Sequence, residues 1–360
     1  MNHLSETIRN HIQAHWPMLC FLKPNAQEIE FWFSHGQALE NLSTGPKFYV
    51  QGFNPQEPVH VWSGDSFDCT QVNLKDLEQY FAHQHPSADQ SWSAPTQDHV
   101  RLAYEGLIQR AVDAIQRGII SKVVLSRVQG FHVPEVDWLY LMLRLIHTDQ
   151  NTFRYLMVHP KLGIWCGATP ELLISSEENN FSTMALAGTR WLEGEEFPEW
   201  TEKEFEEHHW VVREILGALK PFADASQNEP HDHQAGSIQH LRTDISGSIR
   251  VPYSVLDLAR SLHPTPAVCG FPKKTALDFI GANEGYNRGL YTGYLGLFNP
   301  EQHWAEFYVN LRCMEFKDDR FKLFVGGGVT RDSNPNKEWI ETQRKMTTMG
   351  QVIAPFIEQR

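Results

Sequence analysis

The spacing of apolar positions changes character along the chain. Over residues 1–95 apolar residues come in short groups broken by Asn, Pro, Gly and Ser, which predicts a turn-rich, short-stranded region. From Asp98 the period becomes helical. Val100, Tyr104, Leu107, Ile108, Ala111 and Ile115 fall on one face, with Asp98 expected as the cap and Gly118 as the stop. A strand at 119–129 (IISKVVLSRVQ) is expected next. Runs of branched and aromatic residues at 153–159, 162–166, 171–175 and 181–186, separated by turn residues, predict an antiparallel meander. A helix from about Glu202 to Lys220 leads into a polar stretch, ASQNEPHDHQAGS at 225–237, expected to be a mobile surface loop. Strands return near 290–297, 304–316 and 320–329. The closing helix is expected to start at Asn334 as cap with Pro335 at its first position, and to run past Met349. Runs of strands interrupted by long helices, without βαβ regularity, predict an α+β fold of two packed antiparallel sheets flanked by helices. No repeat, low-complexity tract or long linker divides residues 1–360, so a single domain is expected.

Composition narrows the function. Thirty-one Lys plus Arg against 44 Asp plus Glu give a formal charge of −13, which argues against nucleic acid as a partner because phosphate binding needs clustered cations. The opening MNHLSETIRNHIQAHW has no continuous apolar segment, and the most apolar helix candidate, LYLMLRLI, is broken by Arg144. No membrane association is therefore expected. The five cysteines are scattered and never spaced as CxxC, which suggests neither a disulfide framework nor a cysteine zinc site and points to a reduced, cytoplasmic protein.

Candidate chemistry sits on a few positions. Glu204 with Glu207, and Glu338 with Glu341, place carboxylates three apart on one face of each of two helices. One reading is plain capping, since TEKE at 201–204 is a capping box and acidic first turns suit the helix dipole. The other is a hard-cation site, in which all-oxygen ligands favour Mg²⁺. Gly326, Gly327 and Gly328 end a strand, where they are either a flexible turn or a place for backbone N–H groups to approach an anion. Arg312 is expected within a strand (VNLRCMEF), and Lys345 lies one helical turn beyond Glu341; either cation can hold a carboxylate. Lys122 is expected mid-strand, either on a solvated edge or pointing into a cleft as a pairing group or base.

Nine segments in order resemble one family, the chorismate-utilising enzymes. They are SKVVLSR at 121–127, ATPELL at 168–173, ALAGTR at 185–190, KEFEEH at 203–208, HLRTD at 240–244, LHPTPAVCGFP at 262–272, RGLYTGYLG at 288–296, NLR at 310–312 and GGGVTRDSNPNKEWIETQRK at 326–345. The likeness runs from about residue 98 to 356, so residues 96–358 are expected to form the chorismate-binding core. Residues 1–95 carry no assigned motif, and only the family fold implies that they complete the same domain.

The resemblance implies binding of chorismate, a dicarboxylate, through Mg²⁺, with a nucleophile adding at ring carbon 2 as the hydroxyl at carbon 4 leaves. Carried over, Glu207 and Glu341 hold the metal, with Glu204 and Glu338 supporting it directly or through water. Glu171 matches the general acid, a task that needs a carboxyl pKa raised towards neutrality. Lys122 matches the base that takes a proton from water, and His240 matches an active-site histidine near the substrate side chain. Tyr291, Arg312 and Lys345 match substrate carboxylate contacts. Gly188, Thr189, Ala267 and the three glycines match other substrate-binding positions.

Three positions separate members of the family. The aminating enzymes usually have glutamine where this chain has Lys122, so lysine points to water as nucleophile and no glutamine amidotransferase subunit is expected. Ala187 stands where aminodeoxychorismate synthases carry a nucleophilic lysine. Ala267 stands where salicylate synthases, which go on to expel pyruvate, usually have threonine. The resemblance therefore implies reversible formation of isochorismate by a monomer, of the catecholate siderophore type, with salicylate formation and menaquinone synthesis as alternatives. A non-catalytic chorismate-binding relative is expected to lack Lys122, Glu171 or a metal glutamate, and all are present.

Overall fold

A computed structural model describes residues 1–34, 45–82, 92–191, 197–235 and 238–357, without the side chains of Thr189, Trp191, Lys203, Ala235 and Ile238. The chain opens with α1 (Asn2–Ala14), β1 (Met18–Leu22), β2 (Glu28–Ser34), β3 (Lys47–Gln51), β4 (His60–Ser63), β5 (Phe67–Asn73) and α2 (Leu74–Phe81). Next come α3 (Asp98–Gln116), β6 (Lys122–His132), α4 (Trp138–Ile146), β7 (Phe153–His159), β8 (Gly163–Thr169), β9 (Leu172–Glu177) and β10 (Asn180–Trp191). They are followed by α5 (Glu202–Leu219), β11 (Ala223–Gln227), β12 (His231–Ala235), β13 (Ile238–Ile249), α6 (Val255–Leu262), β14 (Gly270–Phe271) and α7 (Lys273–Asn283). The chain ends with β15 (Tyr294–Asn299), β16 (Trp304–Val309), β17 (Cys313–Lys317), β18 (Arg320–Val329) and α8 (Pro335–Ile353).

The described strands form two antiparallel sheets flanked by helices. The first runs β14-β6-β18-β17-β8-β7-β1-β2-β5 and the second β11-β13-β10-β9-β16-β15-β3-β4, with β12 also paired to β13. Alternation along the strands decides which layer each side chain enters. In β1, Leu19 and Phe21 join Phe48, Trp62 and Leu295 in the core between the sheets, while Met18, Cys20 and Leu22 face α4 and α8 on the other side. A separate core packs Val211, Ile215 and Leu219 of α5 and Leu258 of α6 against the second sheet. No described helix is long and apolar enough to cross a membrane.

Several elements differ from the sequence-based expectation. The N-terminal region contains α1 and α2 as well as strands. Asp98 is the first helical residue of α3 and Gln97 the cap position, whereas Gly118 does end the helix with φ 73°. The polar stretch at 225–237 largely forms β11 and β12, which pair with β13; positions 236 and 237 lie outside the described residues. The expected strand at 304–316 is two strands in different sheets, and Arg312 lies in the break between them with φ 45°. There Tyr155 donates to the Asn310 Oδ1 at 2.7 Å and the Asn310 amide donates to the Leu290 carbonyl at 2.9 Å, replacing the interrupted ladder.

Candidate active site

Two of the places where the chain crosses between sheets, from β8 to β9 and from β16 to β17, meet at one point. Backbone bonds tie these crossings together: Val309 N–H donates to the Glu171 carbonyl at 2.9 Å, and Ala168 N–H to the Arg312 carbonyl at 3.0 Å. Glu171 and Arg312 are thereby brought to one point from positions far apart in sequence. Beside them opens a cavity of about 320 Å³.

Two helices supply the cavity's other carboxylates. On α5 the line of Glu204, Glu207 and Val211 continues into the buried stripe, so packing the apolar half of the helix carries the glutamates to the cavity. Glu204 also caps its helix: Thr201 donates to its Oε2 through both the backbone N–H, at 2.9 Å, and the hydroxyl. Both readings of the TEKE motif are therefore compatible with this one residue. On α8, Asn334 accepts from Lys337 N–H at 3.1 Å, while Trp339, Thr342 and Met346 are buried along the adjoining stripe of the helix. This turns Glu338, Glu341 and Lys345 towards the cavity.

The glycine run lies on β18, between the helix carboxylates and β6. A Cβ on Gly327 would stand 3.2 Å from Glu338 Oε2 and 3.5 Å from Glu341 Oε1, and one on Gly328 would stand 3.2 Å from Lys122 Cε. Glycine is thus what leaves room beside these groups. Lys122 is buried, not on a solvated edge. Its Nζ lies 3.1 Å from Glu207 Oε1. Lys345 Nζ lies 2.6 Å from Glu341 Oε1 and donates to the Gly326 carbonyl at 3.1 Å.

Electrostatics separate the titratable groups. Burial pushes the Glu171 carboxyl up to about 7, against the opposing pull of Lys122 and Lys345. Burial also holds His240 down to about 4, so its ring is neutral near pH 7. Its Nδ1 lies 3.0 Å from the Gly188 carbonyl, which can only accept, so Nδ1 carries the proton and Nε2 is the acceptor. Gly188 itself sits at a bulge between β10 and β13 with φ 74°, a conformation that glycine adopts freely.

The family pattern described as chorismate binding enzyme matches residues 64–354. The chain belongs to this family. A salicylate biosynthesis isochorismate synthase of Pseudomonas aeruginosa is 32% identical over 283 residues, covering 75% of this chain and 58% of that protein. The chain thus spans less than two thirds of that relative's length. The isochorismate synthase EntC of Escherichia coli is 27% identical over 310 residues, covering 82% of this chain and 78% of the relative. The fold is shared with a Bacillus anthracis structure described as a candidate 2,3-dihydroxybenzoate-specific isochorismate synthase. Its TM-score is 0.78 at 23% identity, over 98% of this chain and 99% of that one.

In this chorismate binding enzyme Lys122, Glu171 and His240 line the cavity together with Gly188, Ala267, Tyr291, Arg312, Lys345 and the three glycines. Glu204, Glu207, Glu338 and Glu341 line it too. The Thr189 side chain lies outside those described. Sequence reasoning missed Arg344, Thr330 and Ser333, which also face the cavity. Arg344 is three residues beyond Glu341, at helical spacing. The two hydroxyls sit in the turn after the glycines, where Thr330 N–H donates to Ser333 Oγ at 3.1 Å.

Proposed function

We propose that this chorismate binding enzyme is an isochorismate synthase, converting chorismate reversibly into isochorismate. The observation that carries the reading is the buried Lys122 amine in one cavity with Glu171, whose carboxyl is pushed up to about 7. Lys122 takes a proton from water as the water oxygen bonds to ring carbon 2. The ring double bonds shift, the bond from carbon 4 to its hydroxyl breaks, and Glu171 protonates the departing oxygen. One water enters and one leaves, so no step is irreversible. Arg312, Lys345 and Tyr291 bind the substrate carboxylates, and neutral His240 offers Nε2 as an acceptor near the substrate side chain.

Magnesium fits the residues present. Among the described residues no three His, Cys, Asp or Glu stand ready as a metal cluster. Mg²⁺ does not require one, since it keeps several waters and takes one or two carboxylates directly. The donors are all oxygen, and the space beside Gly327 would be filled by any Cβ. Glu207 and Glu341 would hold the ion, with Glu204 and Glu338 in support. Bound there, it would neutralise the glutamates and anchor a substrate carboxylate.

Ala267 supports arrest at isochorismate rather than pyruvate loss, and the HPTPAVCGFP form at 263–272 supports the catecholate siderophore pathway. We also assign residues 1–95 to the same catalytic unit, because β1 to β5 extend both sheets. Five free cysteines, four of them buried, support a cytoplasmic setting. Chromatography of purified protein with chorismate and Mg²⁺ tests the reading: isochorismate supports it, and stoichiometric salicylate and pyruvate would replace it with salicylate synthase.

A further inference from the structure

Behind the cavity wall lies a buried ion pair that the reaction itself does not use. The side chains of Glu284 and Arg288 are each only 1% exposed and approach to 2.5 Å. Neither lines the cavity. Arg288 Nε donates to Glu284 Oε2 at 2.8 Å, and Nη2 donates to Glu284 Oε1 and, at 2.7 Å, to the Val124 carbonyl. Nη1 donates to the Val268 carbonyl at 3.0 Å and to Thr292 Oγ1 at 3.2 Å. A guanidinium has five N–H groups in a fixed planar fork, and these contacts engage all five. Glu284 Oε1 also accepts from Ser126 N–H at 2.7 Å and Ser126 Oγ at 2.9 Å.

The three neutral acceptors share one property: Val124, Val268 and Thr292 all line the cavity. Val124 lies two residues from Lys122 on β6, and therefore on the same face. Val268 follows Ala267, and Thr292 follows Tyr291. These segments belong to a strand of the first sheet, the loop before β14 and the turn before β15. Strand pairing of Gly270 and Phe271 with β6, with Val124 N–H donating to the Cys269 carbonyl at 2.8 Å, ties the first two, and the Arg288 guanidinium joins the third to both.

We propose that Arg288, oriented by Glu284, is a positioning residue that fixes Lys122, Ala267 and Tyr291 relative to one another. This rests on the isochorismate synthase reading for its assay, but not for its geometry. An ion pair that served only the fold would be replaceable without effect on turnover by the folded enzyme. A positioning pair would not, because a displacement of about 1 Å at a reacting group can cost 10²-fold.

The test uses full-length Arg288→Lys, which keeps the buried charge but has too few donors for the fork, and Glu284→Gln, which keeps an acceptor for Ser126. Turnover of chorismate is normalised to the folded fraction measured by circular dichroism. We expect kcat to fall about 100-fold while KM changes less than about threefold, because two of the three carboxylate contacts, Arg312 and Lys345, sit on other elements and only Tyr291 is shared with the reacting region. Hydrogen exchange should rise selectively in segments 122–126, 266–269 and 290–293. Wild-type kcat in both variants, with only a lower Tm, would overturn the proposal, as would exchange that rises uniformly or not at all. If Arg288→Lys does not fold, Glu284→Gln decides by the same criteria. If the wild type itself fails to turn over chorismate, the functional reading falls and the exchange pattern alone decides on the pair.

Discussion

Lys122 Nζ stands 3.1 Å from Glu207 Oε1, joining the first residue of β6 to a helix packed on the opposite sheet. Lys345 and Glu341 pair at 2.6 Å within α8, one turn apart. Each of the two glutamates assigned to Mg²⁺ therefore already carries a lysine. The proposed base and the proposed metal site share their electrostatics, and substitutions at one should be read at both.

Lys122→Gln separates proton transfer from binding. A general base contributes about 10² to 10⁴-fold, so turnover should fall by that range. Calorimetric binding of chorismate with Mg²⁺ should persist, because the carboxylate contacts are intact. Turnover above about a tenth of wild type would remove Lys122 from the base role.

Glu207→Ala and Glu341→Ala should each abolish turnover and Mg²⁺ binding while leaving the circular dichroism spectrum unchanged, since each side chain borders the cavity. EDTA should silence the wild type and excess Mg²⁺ restore it. Near wild-type activity in either variant would contradict the metal assignment.

Gly327→Ala probes the same site without removing a ligand. Its methyl group would meet Glu338 Oε2 at 3.2 Å and Glu341 Oε1 at 3.5 Å. Displacing supporting groups typically costs 10- to 100-fold in metal affinity, so a loss of about tenfold is expected by Mg²⁺ titration. Unchanged affinity would mean that the glycine serves only the strand.

Glu171 links the site to stability. Its folded carboxyl is raised from 4.5 to about 7, so the native state holds this proton more tightly than the unfolded chain. The stabilisation is complete below about pH 4.5 and is lost as pH rises through 7, amounting to roughly 3 kcal/mol. Glu171→Gln cannot ionise. It should therefore gain melting temperature relative to wild type between about pH 5 and pH 8, while losing about 10² to 10⁴-fold in turnover. A Tm difference independent of pH would contradict the raised carboxyl.

How much was legible in the sequence depended on how local the cause was. The start of α8 was readable because Asn334 and Pro335 are local signals, and β7 because Phe153–His159 is a branched and aromatic run between turns. Helix α1 was missed because only a narrow stripe, with Ile8 and Ile12 buried, interrupts its polar sequence. Strands β11 and β12 were read as a loop because most of their residues are exposed, leaving no alternation to find. Arg312 was placed in a strand by its branched neighbours, although crossing between sheets is a tertiary demand that breaks the ladder there. For the site, residue types and spacing left Lys122 and the glutamates ambiguous, and the family resemblance gathered them. The five-donor fork of Arg288 was invisible, because its acceptors are mostly backbone carbonyls remote in sequence.

The proposed chemistry is a reversible isomerisation that stops at isochorismate. The most direct measurement incubates the protein and Mg²⁺ with chorismate in one sample and isochorismate in another, and follows both by chromatography. The two samples should converge on the same mixture of the two acids, with no pyruvate released. Failure to interconvert them, or a steady accumulation of pyruvate with salicylate from either side, would contradict this chemistry.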